Sequence, residues 1–228
     1  EKDRSHPRKR SRPIASGRLH VTTATLAAAA LISIALAFSF VLSISFGGVA
    51  AGYLALMLFY TLWLKHIVLL DVFSISAGFV LRAVAGAAVI DAPISPWLYI
   101  CTGLGALLIA LGKRRSEIEN AGAAAATQRD SLESYSRKLI DQFIAIVAPS
   151  TLLAYTLYTF TAPNLPDNHA MMLTIPFVVY GLFRYLYLVH TRNAGETPEE
   201  ILLADKPLLA SITLWLATAA VILVVVRN

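Results

Sequence analysis

The sequence predicts an all-α protein, a polytopic bundle of transmembrane helices. Of its 228 residues, 57% are hydrophobic and only 14% are charged, whereas about a quarter of the residues of a soluble domain are charged. Uncharged stretches long enough to cross a hydrocarbon core of roughly 30 Å recur along the chain. These observations argue against a soluble helical protein.

Seven stretches predict membrane helices, and together they form a single membrane domain, 1–228. Each stretch has the length of a helical span. Turn-forming Pro, Asn, Asp and Ser residues mark the connections at 91–94 and 162–169. The predicted spans are 21–44, 47–64, 67–90, 95–112, 139–161, 170–190 and 207–226.

The cations predict the orientation of the bundle. Alternate polar segments, 1–20, 65–66, 113–138 and 191–206, hold 16 of the 19 Lys and Arg residues, and the intervening connections hold none. Cations concentrate in cytoplasmic loops. We therefore expect an integral protein of a bacterial-type plasma membrane whose charged segments, and whose active face, lie in the cytoplasm.

The first 20 residues form a basic segment around the carboxylate of Asp3. This segment either fixes the orientation of the chain or binds a polyanion, and an anionic lipid surface is one such partner. Nucleic acid is not expected, because the segment is short and has no interleaved aromatic residues. Its cations at neutral pH are Lys2, Arg4, Arg8, Lys9, Arg10, Arg12 and Arg18.

Two charges fall inside the third predicted span. Asp71 and Arg82 are eleven residues apart, which is close to three helical turns, so both lie on one helix face about 16 Å apart along the axis. Charges inside a membrane are costly unless they face a polar cavity. The pair therefore predicts a polar stripe that lines a cavity, without a direct salt bridge between the two.

The charged segments favour a phosphorylated ligand. Arg and Lys bind phosphates well, and carboxylates among such cations favour a Mg²⁺ ion that bridges them to the substrate. The single cysteine, Cys101, excludes an internal disulfide and a cysteine metal site. The residues alone thus predict a membrane-embedded site for a Mg²⁺-bound phosphorylated substrate.

The opening residues resemble the end of the first Asp-rich motif of the UbiA superfamily of intramembrane prenyltransferases. That motif reads N-D-x-x-D-x-x-x-D followed by x-x-H-P-x-K-R-x-R-P-I-A-x-G. Asp3 matches its last Asp, and the matching residues continue through His6-Pro7, Lys9-Arg10, Arg12-Pro13-Ile14-Ala15 and Gly17. Members of this family have nine spans, so the resemblance implies seven of an expected nine, and we expect the 228-residue chain alone to be inactive or nearly so.

Within the superfamily, the chain resembles the decaprenyl-phosphate phosphoribosyltransferase branch. Aromatic prenyltransferases carry a second D-x-x-x-D motif where this chain has Lys113-Arg114-Arg115-Ser116-Glu117, with three cations and one acid. This departure favours a site for a sugar phosphate. The other matching segments are Leu64-Lys65-His66, 81–86, 131–135 and Gly195-Glu196 leading to Asp205.

The resemblance implies a transfer of 5-phosphoribosyl from 5-phosphoribose 1-diphosphate to a polyprenyl (decaprenyl) phosphate, with release of pyrophosphate and with Mg²⁺ as cofactor. It further implies that Asp3 is catalytic and holds the metal, that Glu117 and Tyr135 orient the ribose or a water molecule, and that Asp71 and Arg82 line the cavity. The implied phosphate-binding residues are Lys9, Arg10, Arg12, Lys65, Lys113 and Arg114.

Two alternatives stay open at this point. One is transfer of a prenyl group from a prenyl diphosphate to an aromatic or other acceptor. The other is a non-catalytic membrane protein or a transporter. The length of the lipid chain and a homo-oligomeric state are also open.

Overall fold

A computed structural model describes residues 13–14, 16–91, 96–121, 134–162, 165–166, 168–191 and 198–226. The elements in these ranges are all helical, without a strand, which confirms the predicted all-α class. The α-helices are α1 (Val21–Leu42), α2 (Ile44–Leu62), α3 (Leu70–Val89), α4 (Pro96–Ala121), α5 (Arg137–Thr161), α6 (Ile175–Thr191), α7 (Pro198–Ala204) and α8 (Lys206–Val221). Single 3₁₀ turns, Leu64–His66 and Ala170–Thr174, precede α3 and α6, and a π-helical turn, Ile222–Val226, ends α8.

Six of these helices are long and apolar enough to cross a membrane. They are α1, α2, α3, α5, α6 with the turn before it, and α8, and they coincide with six of the seven predicted spans. The remaining predicted span, 95–112, corresponds to α4, which begins at Pro96 but is not among the six. The protein is therefore a polytopic membrane bundle, and the crossing of the membrane by α4 stays a prediction.

The outer surface of the bundle is apolar. No residue of α1 is buried, and Leu26 and Val41 on this helix are 72% and 82% exposed. An apolar surface of this size is unfavourable in water but not in the hydrocarbon of a bilayer. The helices can enter that hydrocarbon because they satisfy their own backbone hydrogen bonds. The exposed apolar side chains thus support integral membrane insertion.

Helix α4 lies at the centre of the described bundle, where it packs against α3, α5 and α6. The hydroxyl of Ser76 on α3 donates a hydrogen bond of 2.7 Å to the carbonyl oxygen of Gly103 on α4. Val72, Ile140 and Val189, one from each neighbouring helix, are fully buried in the shared core. A side chain on α4 is therefore placed relative to three other helices at once.

The polar residues after the apolar part of α4 are helical too. We expected the fourth span to end at residue 112 and one or two separate short helices to follow in the cytoplasmic connection, but α4 continues without a break to Ala121. An ion pair between Arg114 and Glu117, three residues apart, is of the kind that stabilises a helix surface. Lys113, Arg114 and Glu117 consequently have a fixed helical spacing.

Polar side chains begin three of the helices. The side chains of Ser43, Ser136 and Asp205 accept hydrogen bonds from backbone N–H groups of the first turns of α2, α5 and α8. Such N-caps satisfy donors that have no partner inside the helix. Asp205 also forms an ion pair with Arg184 on α6.

Gly112 marks a close approach of α4 to α6. A methyl group at this position would overlap the buried hydroxyl of Tyr185, whereas a methyl group at Gly105 on the same helix would meet open space. Replacement of Gly112 by any larger residue must therefore shift the side chain of Tyr185.

We predict that Gly112→Ala destabilises the protein by about 1–3 kcal/mol, the range for overpacking of a core. The matched control Gly105→Ala should be neutral or slightly stabilising, because Ala favours a helix by about 1 kcal/mol over Gly. Unfolding of both variants in detergent micelles measures the difference. A Gly112→Ala protein at least as stable as Gly105→Ala would contradict the close approach.

Candidate active site

A buried polar cluster joins the start of α3 to the end of α4. We call it the Asp71 cluster, and it consists of Asp71, Arg114, Glu117 and Tyr135. Asp71 and Arg114 are 0% and 1% exposed, and the Nε atom of Arg114 lies 3.2 Å from Oδ2 of Asp71. The Nη1 atom of Arg114 also pairs with Glu117. One guanidinium thus lies between two carboxylates.

The contact between Asp71 and Arg114 is ionic rather than hydrogen-bonded. Oδ2 of Asp71 and Nε of Arg114 are close, yet neither atom makes a hydrogen bond to a described residue, because the N–H direction is poor. The other carboxylate oxygen of Asp71 accepts a hydrogen bond of 2.8 Å from the hydroxyl of Tyr135. Asp71 is therefore held by a charge on one side and by a hydroxyl on the other.

Tyr135 connects this cluster to the backbone before α3. Its hydroxyl donates to Asp71 and accepts a hydrogen bond of 2.7 Å from the backbone N–H of Leu69. Burial and the hydrogen bond to Asp71 raise the pKa of Tyr135, because a phenolate here would lack water and face a carboxylate. The hydroxyl therefore stays protonated at neutral pH.

Leu69 has an unusual backbone conformation, with φ 69° and ψ −43°. A leucine with positive φ is strained, at a cost on the order of 1–3 kcal/mol, and such residues persist where surrounding contacts hold them. The hydrogen bond that the N–H of Leu69 donates to the hydroxyl of Tyr135 is such a contact. The turn that contains Lys65 ends three residues before Leu69.

Two lysines lie near the Asp71 cluster in the sequence, one just before α3 and one on α4. Lys65 is in the turn Leu64–His66, and Lys113 immediately precedes Arg114 on α4. Lys113 is half-buried and pairs with no carboxylate in the described ranges. Its charge therefore remains uncompensated by the described part of the protein.

Arg82 does not join the Asp71 cluster. Its Nε atom donates a hydrogen bond of 3.3 Å to the carbonyl oxygen of Gly78, one turn earlier on α3. Its guanidinium lies 4.3 Å from the ring centre of Phe79 and 5.4 Å from that of Tyr53 on α2. Stacking on two rings stabilises a cation inside an apolar layer, so Arg82 and Asp71 have separate partners.

The predicted residues Asp3, Lys9, Arg10 and Arg12 lie outside the described residues. The structure brings together Asp71, Arg114, Glu117 and Tyr135. It places Lys113 on α4 and Lys65 in the turn that precedes α3. In the described ranges, no group of three or more His, Cys, Asp or Glu side chains is arranged to hold a metal ion.

A second ion pair, between buried Arg115 and partly exposed Asp141, holds α4, α5 and α6 together, and the sequence did not indicate it. Nε of Arg115 donates a hydrogen bond of 2.7 Å to Asp141, and Nη1 donates one of 3.0 Å to the carbonyl oxygen of Val189. Nε2 of His190 lies 3.4 Å from the same Asp141 carboxylate. Asp141 lies just inside the predicted span 139–161, and an acid at the start of a membrane helix could have indicated such a pair.

Arg184 and Asp205 form a third pair. Nε and Nη2 of the guanidinium donate hydrogen bonds of 3.0 Å and 2.8 Å to the two carboxylate oxygens. Because Asp205 also caps α8 through the N–H of Leu208 at 3.0 Å, the pair ties α6 to the start of α8. The two residues thus have a structural role.

An apolar cavity of about 360 Å³ lies between α4, α5, α6 and α8. Ligand sites of roughly 300–1,000 Å³ with mostly apolar walls are typical. Cys101, Gly105 and Leu108 of α4 form one wall, and Tyr185 of α6 contributes to another. The buried hydroxyl of Tyr185 has no hydrogen-bond partner in the described part of the chain.

Comparison with known proteins decides the family. The model of the UbiA prenyltransferase family matches residues 1–204. The chain belongs to this family. The predicted recognition is confirmed, and the protein is an integral membrane transferase of the UbiA type.

Several relatives of this UbiA protein bear one name, decaprenyl-phosphate phosphoribosyltransferase. The relative from Mycolicibacterium smegmatis is 34% identical, over 96% of this chain and 71% of its own length. The relative from Mycobacterium tuberculosis is 33% identical over 96% of this chain and 72% of its own length. The relative from Corynebacterium glutamicum is 33% identical over 94% of this chain and 66% of its own length.

We predict that Arg115→Met lowers the free energy of unfolding by on the order of 2 kcal/mol, because it leaves the carbonyl oxygen of Val189 without this donor and removes the hydrogen bond to Asp141. Arg137→Met is the control, since Arg137 is 53% exposed and its Nε atom is 4.0 Å from the same carboxylate. An exposed pair contributes less than about 1 kcal/mol. Equal stability losses in the two UbiA variants, measured by thermal unfolding in detergent, would argue against a structural role of Arg115.

Proposed function

We propose that the protein transfers 5-phosphoribosyl from 5-phosphoribose 1-diphosphate to a polyprenyl phosphate such as decaprenyl phosphate, with release of pyrophosphate. The observation that carries this proposal is the similarity of nearly the whole chain to relatives of that name in three genera. The cation-rich end of α4 supports it, because both substrates and the leaving group carry phosphates.

In the proposed reaction, a phosphate oxygen of the lipid attacks C1 of the ribose. A new C1–O bond forms as the C1–O bond to the diphosphate breaks, and pyrophosphate leaves with that electron pair. The lipid phosphate is already ionised at neutral pH, so the step needs no strong base. Positioning of the two substrates and stabilisation of the leaving charge would provide most of the rate enhancement.

Lys113 and Lys65 are the described residues that we propose for the stabilisation of that charge. The guanidinium of Arg114 already pairs with two carboxylates, so we assign it the smaller share of phosphate binding. Lys113, whose charge is uncompensated in the described ranges, is the stronger candidate for a phosphate ligand. A lysine ammonium acts on phosphate as a point charge with three donors.

The apolar cavity is the proposed place for part of the polyprenyl chain. Its wall on α4 includes Leu108, which precedes Lys113 by five residues, or about 8 Å along a helix. An apolar chain in the cavity would therefore end near a cation that can bind its phosphate. With the charged segments in the cytoplasm, as the positive-inside rule predicts, the reaction would take place at the cytoplasmic face.

Mg²⁺ is the proposed cofactor, and it would neutralise part of the diphosphate charge. The described carboxylates do not fit such an ion, because Asp71 and Glu117 both pair with Arg114. Asp3, the proposed metal ligand, lies outside the described residues. The proposal therefore assigns to the described residues binding and positioning only.

We predict that Lys113→Met lowers kcat/KM for phosphoribosyl transfer by about 10²-fold, the usual loss when one donor to a developing charge is removed. The protein is expressed from its complete gene, and transfer of labelled phosphoribosyl to decaprenyl phosphate is followed in detergent. Lys138→Met is the matched control, because Lys138 is an exposed lysine on the same predicted face, and its activity should equal that of the unchanged protein.

Two outcomes would overturn the proposed reaction, and a third would overturn the role of Lys113. The first is turnover of a prenyl diphosphate with an aromatic acceptor in place of a labelled phosphoribosyl lipid. The second is the absence of any lipid product, which would favour a non-catalytic protein or a transporter. The third is an equal loss of activity in Lys113→Met and Lys138→Met, which would remove Lys113 from the site.

We also predict that removal of divalent cations with EDTA abolishes the transfer and that Mg²⁺ restores it, because the diphosphate charge then has too few counter-charges. Binding of labelled decaprenyl phosphate in the same detergent should persist in EDTA, since the lipid chain does not need the metal. Undiminished transfer in EDTA would exclude Mg²⁺ as the cofactor.

A further inference from the structure

The side chain of Tyr135 links two segments that are far apart in the sequence. We call residues 64–69 the Lys65 segment, and it leads into α3. Tyr135 follows Ser134 and precedes α5, so it belongs to the connection after α4. Its hydroxyl touches Leu69, at the end of the Lys65 segment, and also Asp71, which pairs with Arg114 of α4.

The hydroxyl of Tyr135 has little capacity left for a substrate. It donates its one hydrogen to Asp71 and accepts a hydrogen bond from Leu69, and a phenol has a single donor. The side chain is only 4% exposed. A substrate atom could accept this hydrogen only if the hydrogen bond from Tyr135 to Asp71 were broken. Any effect of Tyr135 on the reaction must therefore act through other residues.

The contact with Leu69 restrains a strained part of the chain. The N–H of Leu69 precedes the first turn of α3, where backbone donors have no partner inside the helix. The hydroxyl of Tyr135 supplies that partner while Leu69 keeps its positive φ of 69°. Without this bond, the Lys65 segment could relax to an unstrained conformation and shift relative to α4.

We propose that Tyr135 is a positioning residue that fixes the Lys65 segment relative to Lys113 and Arg114 on α4. This role differs from the orientation of the ribose that the family resemblance implies. The restraint is a property of the chain alone, and its effect on phosphate binding rests on the proposed function. Lys65 and Lys113 lie on the two segments that the hydroxyl keeps at a constant spacing.

Hydrogen–deuterium exchange tests the restraint without any activity measurement. In the unchanged protein, expressed from its complete gene, the amide of Leu69 should exchange slowly, although it precedes a helix. In Tyr135→Phe, which removes only the hydroxyl, the amide of Leu69 should exchange at least about tenfold faster. The control Tyr99→Phe removes an exposed hydroxyl and should leave the amide unchanged. Rapid exchange of Leu69 in the unchanged protein would overturn the proposal, even if Tyr135→Phe fails to fold.

A double-mutant cycle tests the consequence for catalysis. Tyr135→Phe should raise KM for phosphoribosyl diphosphate by about tenfold and leave KM for the lipid unchanged, because it disturbs a donor-binding lysine. In a Lys65→Met background, the same change should alter KM by less than about twofold, because its target is absent. An undiminished tenfold effect in that background would overturn positioning through Lys65.

The exchange and kinetic results separate the two proposals. Absence of phosphoribosyl transfer in the unchanged protein would refute the proposed function, while slow exchange of Leu69 that depends on the Tyr135 hydroxyl would still support the restraint. Transfer with normal kinetics in Tyr135→Phe would refute the positioning role and leave the proposed function intact.

Discussion

The ion pair between Asp71 and Arg114 is the contact on which the polar end of the bundle depends. Both side chains are buried, and either charge alone would carry a desolvation cost of several kcal/mol. Removal of either residue would therefore leave its partner's charge less compensated in a buried position. The pair fixes the end of α4 against the start of α3, and Glu117 and Tyr135 satisfy the remaining groups. A shift of α4 along α3 would separate two buried charges, so the spacing of the residues on both helices is constrained.

The helical form of α4 divides the run Lys113-Arg114-Arg115 among different partners. Successive residues of a helix point about 100° apart, so these three cations cannot act as one patch. Arg114 compensates Asp71 and Glu117, and Arg115 ties α4 to Asp141 and Val189. Lys113 has no such partner in the described ranges. Two cations of the run thus stabilise the fold, and this leaves one for a ligand.

The spans were predictable because hydrophobicity is a local property of the sequence, whereas the partners of the charges were not. Asp71 and Arg114 are 43 residues apart, and only the packing of α3 on α4 brings them together. The helical period correctly placed Asp71 and Arg82 on α3, but the rings of Phe79 and Tyr53 provide Arg82 with its own environment. The sequence predicted short helices in the connection from residue 113, but not that Lys113, Arg114 and Arg115 continue the helix of the fourth span, so their partners could not be foreseen.

The order of residues along α4 also bears on the kind of acceptor. Cys101, Gly105 and Leu108 line an apolar cavity, and the cation of Lys113 follows after about 8 Å of helix. An acceptor with an apolar chain and an anionic head could use both parts of this gradient at once. A small aromatic acceptor would gain little from the lysine, because it has no phosphate to bind. This order of residues supports the proposed acceptor, a lipid phosphate of the kind that the names of the relatives mention.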